Sequence, residues 1–204
     1  MNKNDIYIAR HGLTEWNKIR KIQGQTNDLK LSPEGKNQMN LLGQYLLKKE
    51  EKYTVVLSPM KRVQESFYIV NKYLNIQKKD IYIIDEMKEM NFGDFEGKFK
   101  SDIKNNNFFE ERKGNKWETK YPNGESYSDL FERLSNSGLN SIYQKTKKME
   151  TALLTIGHES INRVIPQILT PENESNEQAS KNRQKNNEII VIKGNLKKKV
   201  KIVI

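Results

Sequence analysis

Ile6-Tyr7-Ile8-Ala9-Arg10-His11-Gly12 and, far downstream, Ala152-Leu153-Leu154-Thr155-Ile156-Gly157-His158 are the stretches on which the reading of this chain turns. Each is a short apolar run of strand length that ends at a histidine, and together they hold the only two histidines among 204 residues. In an open α/β sheet, ligands collect outside the carboxyl ends of parallel strands, so two imidazoles delivered there from distant segments converge on one pocket. Arg10 adds a planar fork of donors suited to phosphate oxygens.

Working outward, further runs rich in isoleucine and valine read as strands at 54–57, 81–84, 189–192 and 200–204, beside 6–9 and 152–156. Between them, Val63, Phe67, Val70 and Leu74 recur at helical spacing over 60–74, and Ile161, Ile165 and Ile168 do so after His158. Ser32-Pro33 and Ser58-Pro59 each read as an N-cap followed by proline at the first helical position. Strands alternating with helices predict one α/β domain over 1–204, a three-layer sandwich with a mostly parallel central sheet flanked by helices. Residues 98–150 break the rhythm: they are polar, carry Trp117 and a helical stretch from about Ser126 to Lys147, and read as a helical insertion over the strand ends, a lid. Residues 171–187 hold no aromatic or branched aliphatic side chain, and the expectation there is a disordered loop.

The composition narrows the field. Only 35% of residues are hydrophobic and 30% are charged, so the core is economical and the surface heavily solvated. No apolar run approaches the roughly 20 residues that span a bilayer, and none precedes the first strand, so the expectation is a soluble cytoplasmic protein without a membrane partner. The absence of cysteine excludes disulfides and thiol nucleophiles. A net charge of +10 would attract phosphorylated substrates, but the lysines are scattered and no arginine-rich, aromatic-bearing stripe exists, which argues against nucleic acid as a partner. The strand at 200–204 would be an exposed edge able to pair with a second copy in a homo-oligomer.

The segment Ala9-Arg10-His11-Gly12-Leu13-Thr14-Glu15-Trp16-Asn17 resembles the signature of the histidine phosphatase superfamily, the phosphoglycerate mutase-like enzymes. The resemblance continues in family order through Gln23-Gly24, Leu31-Ser32-Pro33-Glu34-Gly35, Ser58-Pro59-Met60-Lys61-Arg62, the Glu89–Gly97 segment, Pro122-Asn123-Gly124-Glu125-Ser126 and Gly157-His158. It runs from about residue 6 to residue 168. It implies phosphoryl transfer through a phosphohistidine with no metal and no cofactor: His11 as nucleophile, Arg10 and Arg62 clamping the phosphoryl group, and His158 stabilising it. Asn17 then serves as a phosphate contact, with Gln23 and Gly24 at the same site. Glu89 is the acid toward the leaving oxygen and then the base for water; Glu86, Asp94 and Glu96 compete for that role, and motif offset alone separates them. Thr14 reads equally as a phosphate contact or a local backbone partner, and Gly124-Glu125-Ser126 reads mainly as a turn with an N-cap.

One departure stands out. The family usually carries a small residue after the second histidine, whereas this chain has Glu159, a carboxylate that would repel substrate unless it turns away and presents only its amide to the phosphate. The compact Asn91–Gly97 segment, lacking the tyrosine-glycine pair of the mutases, favours a phosphomonoesterase acting on a small phosphorylated metabolite. A phosphoglycerate mutase using the same phosphohistidine and a non-catalytic phosphate-binding module are the alternatives. Arg112, Lys113, Lys116 and Lys120 are candidates for holding a second anionic group, with solvated surface cations the competing reading.

Overall fold

The computed structural model describes residues 5–104, 106–171, 183–194 and 198–204. Among these, β1 (Ile6–Arg10), β2 (Tyr53–Leu57), β3 (Ile81–Ile83), β4 (Ala152–Gly157), β5 (Glu188–Lys193) and β6 (Lys198–Val203) form a six-stranded sheet in the order β3-β2-β4-β1-β5-β6. The first four in that order run parallel, and β5 and β6 are antiparallel additions at one side.

Alternation along buried strands sends successive side chains to opposite faces. Ile6, Ile8, Val56 and Leu153 enter one core, against α6 (Tyr127–Ser135), α7 (Leu139–Met149) and α8 (Glu159–Leu169). Tyr7, Ala9, Val55, Leu57, Leu154 and Ile156 enter the other, against α2 (Pro33–Leu47) and α3 (Lys61–Leu74). Most of these strand residues are wholly buried, each contributing about 1.5–3 kcal/mol through removal from water. The three-layer α/β sandwich expected from the sequence is the fold observed.

Local differences have physical causes. Ser32 caps α2 as expected, accepting from the Gly35 amide with Pro33 at the first helical position. Ser58 does not cap α3: Met60 holds the cap position, and the Ser58 hydroxyl is drawn instead to His158. The stretch expected as one helix from Ser126 to Lys147 is two, parted at Gly138, whose φ of +76° suits glycine. The insertion at 98–150 is likewise divided. Its second half, α6 and α7, packs on the sheet through Leu130, Leu134, Leu139 and Tyr143 and is a structural layer. Only its first half lies over the strand ends, with α4 (Lys100–Ile103) and α5 (Asn107–Gly114).

Of the loop expected to be disordered over 171–187, residues 172–182 lie outside the described residues. Residues 183–187 are placed, and Gln184 and Asn186 are buried. The physical reason is amide chemistry: Gln184 donates to the Ile8 and Glu188 carbonyls at 2.8 and 2.9 Å, and Asn186 to the His11 carbonyl at 2.7 Å. Hydrogen bonds to backbone carbonyls replace apolar burial as the anchor.

Candidate active site

Arg10 pairs in register with Gly157 at the ends of β1 and β4, so the next residues, His11 and His158, emerge level with each other. Their rings meet edge to face with centroids 5.3 Å apart, and both are buried. The β2 strand beside them leads into Ser58 and then into the first turn of α3, which carries Arg62. Three adjacent parallel strands thus deliver the two histidines and one arginine to a single point. Close approach is essential here: a Cβ on Gly12 would stand 2.3 Å from the Gly35 carbonyl oxygen.

His11 Nδ1 lies 2.8 Å from the Gly12 carbonyl oxygen, which assigns the proton to Nδ1 and leaves the Nε2 lone pair free. Burial, reinforced by Arg62 and Arg10, holds this imidazole well below its usual pKa, so it is neutral and nucleophilic at pH 7. His158 is lowered as well, by burial and then by Arg62 and His11. Its Nε2 is 2.9 Å from the Ser58 hydroxyl, while its buried Nδ1 has no hydrogen-bond partner.

Arg62 is 1% exposed and donates to the Gly24 and Thr26 carbonyls at 2.7 Å each. Burial pushes its pKa down to about 10, which leaves it charged at neutral pH. Arg10 donates to the Gln184 carbonyl at 3.1 Å and lies 3.3 Å from Glu159. In each guanidinium the Nε hydrogen has no partner, a donor available to an anion. Asn17 accepts from the Thr14 amide through Oδ1, leaving its amide hydrogens for the cavity it lines. Thr14 is fully buried and caps α1 (Glu15–Lys18), which settles it as a backbone partner. Gln23 and Gly24 line the same cavity, with volume about 420 Å³, in the range of small-molecule sites.

Among the competing carboxylates, Glu89 lines that cavity and Glu86, Asp94 and Glu96 do not. Glu89 accepts from the Met90 amide at 2.8 Å and from the Ser160 amide at 3.2 Å. Burial raises its pKa against the pull of the Met90 amide, Arg10 and Arg62, which favours a protonated carboxyl. Asp94 is tied to the Asn123 amide, and Glu96 accepts from the amides of Gln25 and Phe92.

Glu159 does not turn away. Its side chain lines the cavity, bonds Arg163 and pairs with Arg10. Burial would raise its pKa, but Arg10 and Arg163 override it and hold the carboxyl below its usual value, so it is charged at pH 7. Of the four cations considered for a second anion, Lys113 and Lys120 are spent on Glu110 and Asp129, outside the cavity. Lys116 lines the cavity, as does Arg112, which is 7% exposed and stacked 4.5 Å over the Tyr121 ring, with Nε and Nη2 unpartnered. Sequence reasoning missed Ser58 as the partner of His158, and Arg163, Lys100 and Arg183 as cavity residues. Arg163 alone was findable, from its i, i+4 spacing to Glu159 on α8.

Two buried imidazoles with lowered pKa values, two guanidiniums and a buried carboxyl whose pKa is raised meet beyond the strand ends, groups whose chemistry suits an anionic phosphoryl ligand. The chain belongs to the histidine phosphatase superfamily (branch 1), whose model matches residues 6–201. Its enzyme class is that of the superfamily's phosphatases and phosphoglycerate mutases. It is 32% identical over 150 residues to the uncharacterized phosphatase PhoE of Bacillus subtilis, covering 72% of this chain and 70% of that protein. It is 29% identical over 143 residues to the sedoheptulose 1,7-bisphosphatase of Saccharomyces cerevisiae, covering 64% of this chain and about half (52%) of that one. In structure it is similar to a mycobacterial glucosyl-3-phosphoglycerate phosphatase solved with vanadate, with TM-score 0.77, 17% identity and 98% of each chain covered. No helix among the described residues is long and apolar enough to cross a membrane.

Proposed function

We propose that the protein is a metal-independent phosphomonoesterase that hydrolyses a small phosphorylated metabolite through a phosphohistidine on His11. The observation that carries the reading is the His11 imidazole, neutral, with Nδ1 committed to the Gly12 carbonyl, in one cavity with Arg10, Arg62 and Glu89. The Nε2 lone pair attacks phosphorus as the ester P–O bond breaks, and Glu89 gives its proton to the departing oxygen. Water then attacks the phosphohistidine, returning a proton to Glu89 and releasing inorganic phosphate. Arg10 and Arg62 line the cavity with His11 and meet the charge on the phosphoryl oxygens, the role a metal would otherwise fill, while His158 lies buried behind His11 and is not itself a lining residue.

The substrate carries a second anionic group. Arg112 supports this: a guanidinium held between Tyr121 and Tyr127, buried with two donors unmet, is costly unless an anion meets it. The yeast and mycobacterial proteins are named for a bisphosphate and a phosphoglycerate, which fits such a ligand.

The test is hydrolysis of para-nitrophenyl phosphate in EDTA at mildly acidic to neutral pH, beside His11→Ala. Turnover and acid-labile labelling lost only in the variant are expected. Turnover that needs a divalent metal, or that survives His11→Ala, refutes the reading. Isomerisation of 3-phosphoglycerate primed by its bisphosphate, faster than hydrolysis, would move the protein to the mutases.

A further inference from the structure

The turn that carries Glu89 belongs to no strand; Gln25 donates to the Glu89 carbonyl at 3.1 Å, and one further side chain reaches three carbonyls of the turn's backbone or its flanks. We propose that Arg133, locked by Glu125, is a positioning residue that sets the Glu89 carboxyl for proton transfer; this rests on the phosphatase reading above. Arg133, on α6, donates from Nη1 to the Glu86 carbonyl and, at 3.2 Å, to the Lys88 carbonyl, and from Nη2 toward the Glu89 carbonyl at 3.5 Å. Its remaining edge forms a bidentate pair with Glu125, Nε to Oε1 at 2.8 Å and Nη2 to Oε2 at 2.9 Å. Glu125 Oε2 in turn accepts from the Asn91 amide at 2.8 Å. The ion pair thereby holds the backbone before and after Glu89, while at Glu89 it shares the carbonyl with Gln25.

The neighbouring residues serve the same contact. Glu125 donates its own amide to the Asn91 carbonyl at 2.8 Å. A Cβ on Gly124 would stand 2.5 Å from that carbonyl oxygen, so glycine lets the two turns lie backbone on backbone. Ser126 then caps α6 and fixes the helix that presents Arg133. The Gly-Glu-Ser motif, which the sequence alone reads as a turn and a cap, is in space the mount of the acid. Arg133 does not line the cavity; its charge contributes the last and smallest push on His158, and its hydrogen bonds reach the site through the Glu89 turn, the route the Glu89→Gln background isolates. A planar fork bonding three carbonyls and a carboxylate has no lysine equivalent.

The experiment compares kcat/KM for an alkyl phosphate, which needs a protonated leaving oxygen, with that for para-nitrophenyl phosphate, which needs little, in wild type, Arg133→Met, Glu125→Gln, Glu89→Gln and the Arg133→Met/Glu89→Gln double variant. Misplacing a catalytic group by about 1 Å costs on the order of 100-fold, so Arg133→Met is expected to lose about 10- to 100-fold on the alkyl ester and under about threefold on the aryl ester. In the Glu89→Gln background, Arg133→Met is expected to cost nothing further, the non-additivity of residues acting as a unit. Equal losses on both esters, or a loss that persists without Glu89, overturns the proposal. Circular dichroism melts monitor folding; should Arg133→Met not fold, Glu125→Gln carries the same comparison with the same criteria. A wild type inert toward both esters, or an active His11→Ala, sinks the phosphatase reading itself and this inference with it. An active wild type with an ester-selective Glu89→Gln and an unselective Arg133→Met sinks this inference alone.

Discussion

Glu159→Gln is expected to tighten phosphate binding. In the free protein the carboxylate lies 3.3 Å from Arg10 Nη1, and the two side chains are only 25% and 13% exposed. An arriving phosphate dianion must share or take that guanidinium while standing near a second negative charge. At 3.3 Å, one pair of unit charges is worth about 1.3 kcal/mol at a dielectric constant of 80 and about 5 kcal/mol at an effective value of 20. Glutamine keeps the Arg163 hydrogen bond but not the charge, and partial exposure screens what is lost, so the net gain belongs near the lower bound, about 1.4 kcal/mol or roughly tenfold. The assay is competitive inhibition by vanadate and by inorganic phosphate, with KM for para-nitrophenyl phosphate measured alongside. Arg10 and Arg163 hold the Glu159 pKa down, so the carboxylate is charged throughout pH 6–8 and the gain should be constant across that window. Unchanged or weaker inhibition in the variant would refute the argument and show that Glu159 helps to orient Arg10 for the anion.

Three further outcomes are expected. Glu89→Gln should remove the alkaline limb of kcat/KM for alkyl phosphates: burial raises the pKa of Glu89, so the proton it must donate persists to higher pH than on an ordinary carboxyl and is lost as pH rises through the raised value, and a limb that persists in the variant assigns it elsewhere. Arg112→Met should raise KM about tenfold or more for a bisphosphate or phosphoglycerate while leaving para-nitrophenyl phosphate within about twofold; equal effects on both would remove Arg112 from recognition. Global stability should fall on acidification below about pH 6.5, because both histidines bind protons more readily unfolded than folded, each contributing at most about 1.4 kcal/mol per pH unit until the depressed folded pKa is passed. Urea melts of wild type and His11→Asn at pH 7.5 and 5.5 check this, and an undiminished slope in the variant would count against a buried neutral His11.

The fold was legible because its signals are short-range. Isoleucine- and valine-rich runs could be buried only as central strands, and the periodicity of Val63, Phe67 and Val70 could be satisfied only by a helix laid on them. The two histidines were legible as a pair for the same reason: strand ends put them in the same place whatever lies between. What escaped was set by long-range polar contacts that leave no period. Ser58 looked like a helix cap because capping is local, yet its hydroxyl is claimed by His158, a hundred residues away. The division of the helical stretch from Ser126 to Lys147 into α6 and α7 turned on Gly138, one glycine in an otherwise continuous helical pattern.

The same blindness explains Gln184 and Asn186. A tract without apolar residues was expected not to order, because ordering entropy needs compensation and hydrophobic burial is its usual source. Strand ends beside an active site offer a different source: carbonyls that no ladder partner takes. The His11 carbonyl, beyond the end of β1, is such a group, and leaving it buried and unpaired would cost about 1–3 kcal/mol; Ile8, inside β1, takes the Gln184 amide as an additional donor. Gln184 and Asn186 meet the Ile8 and His11 carbonyls at 2.8 and 2.7 Å, so residues 183–187 are held by the site they complete. Since Asn186 holds the backbone of His11 itself, Asn186→Ala should lower kcat more than it lowers the melting temperature would predict, measured as turnover of para-nitrophenyl phosphate against a thermal melt. Loss of activity strictly in proportion to loss of folded protein would reduce that amide to an ordinary structural contact.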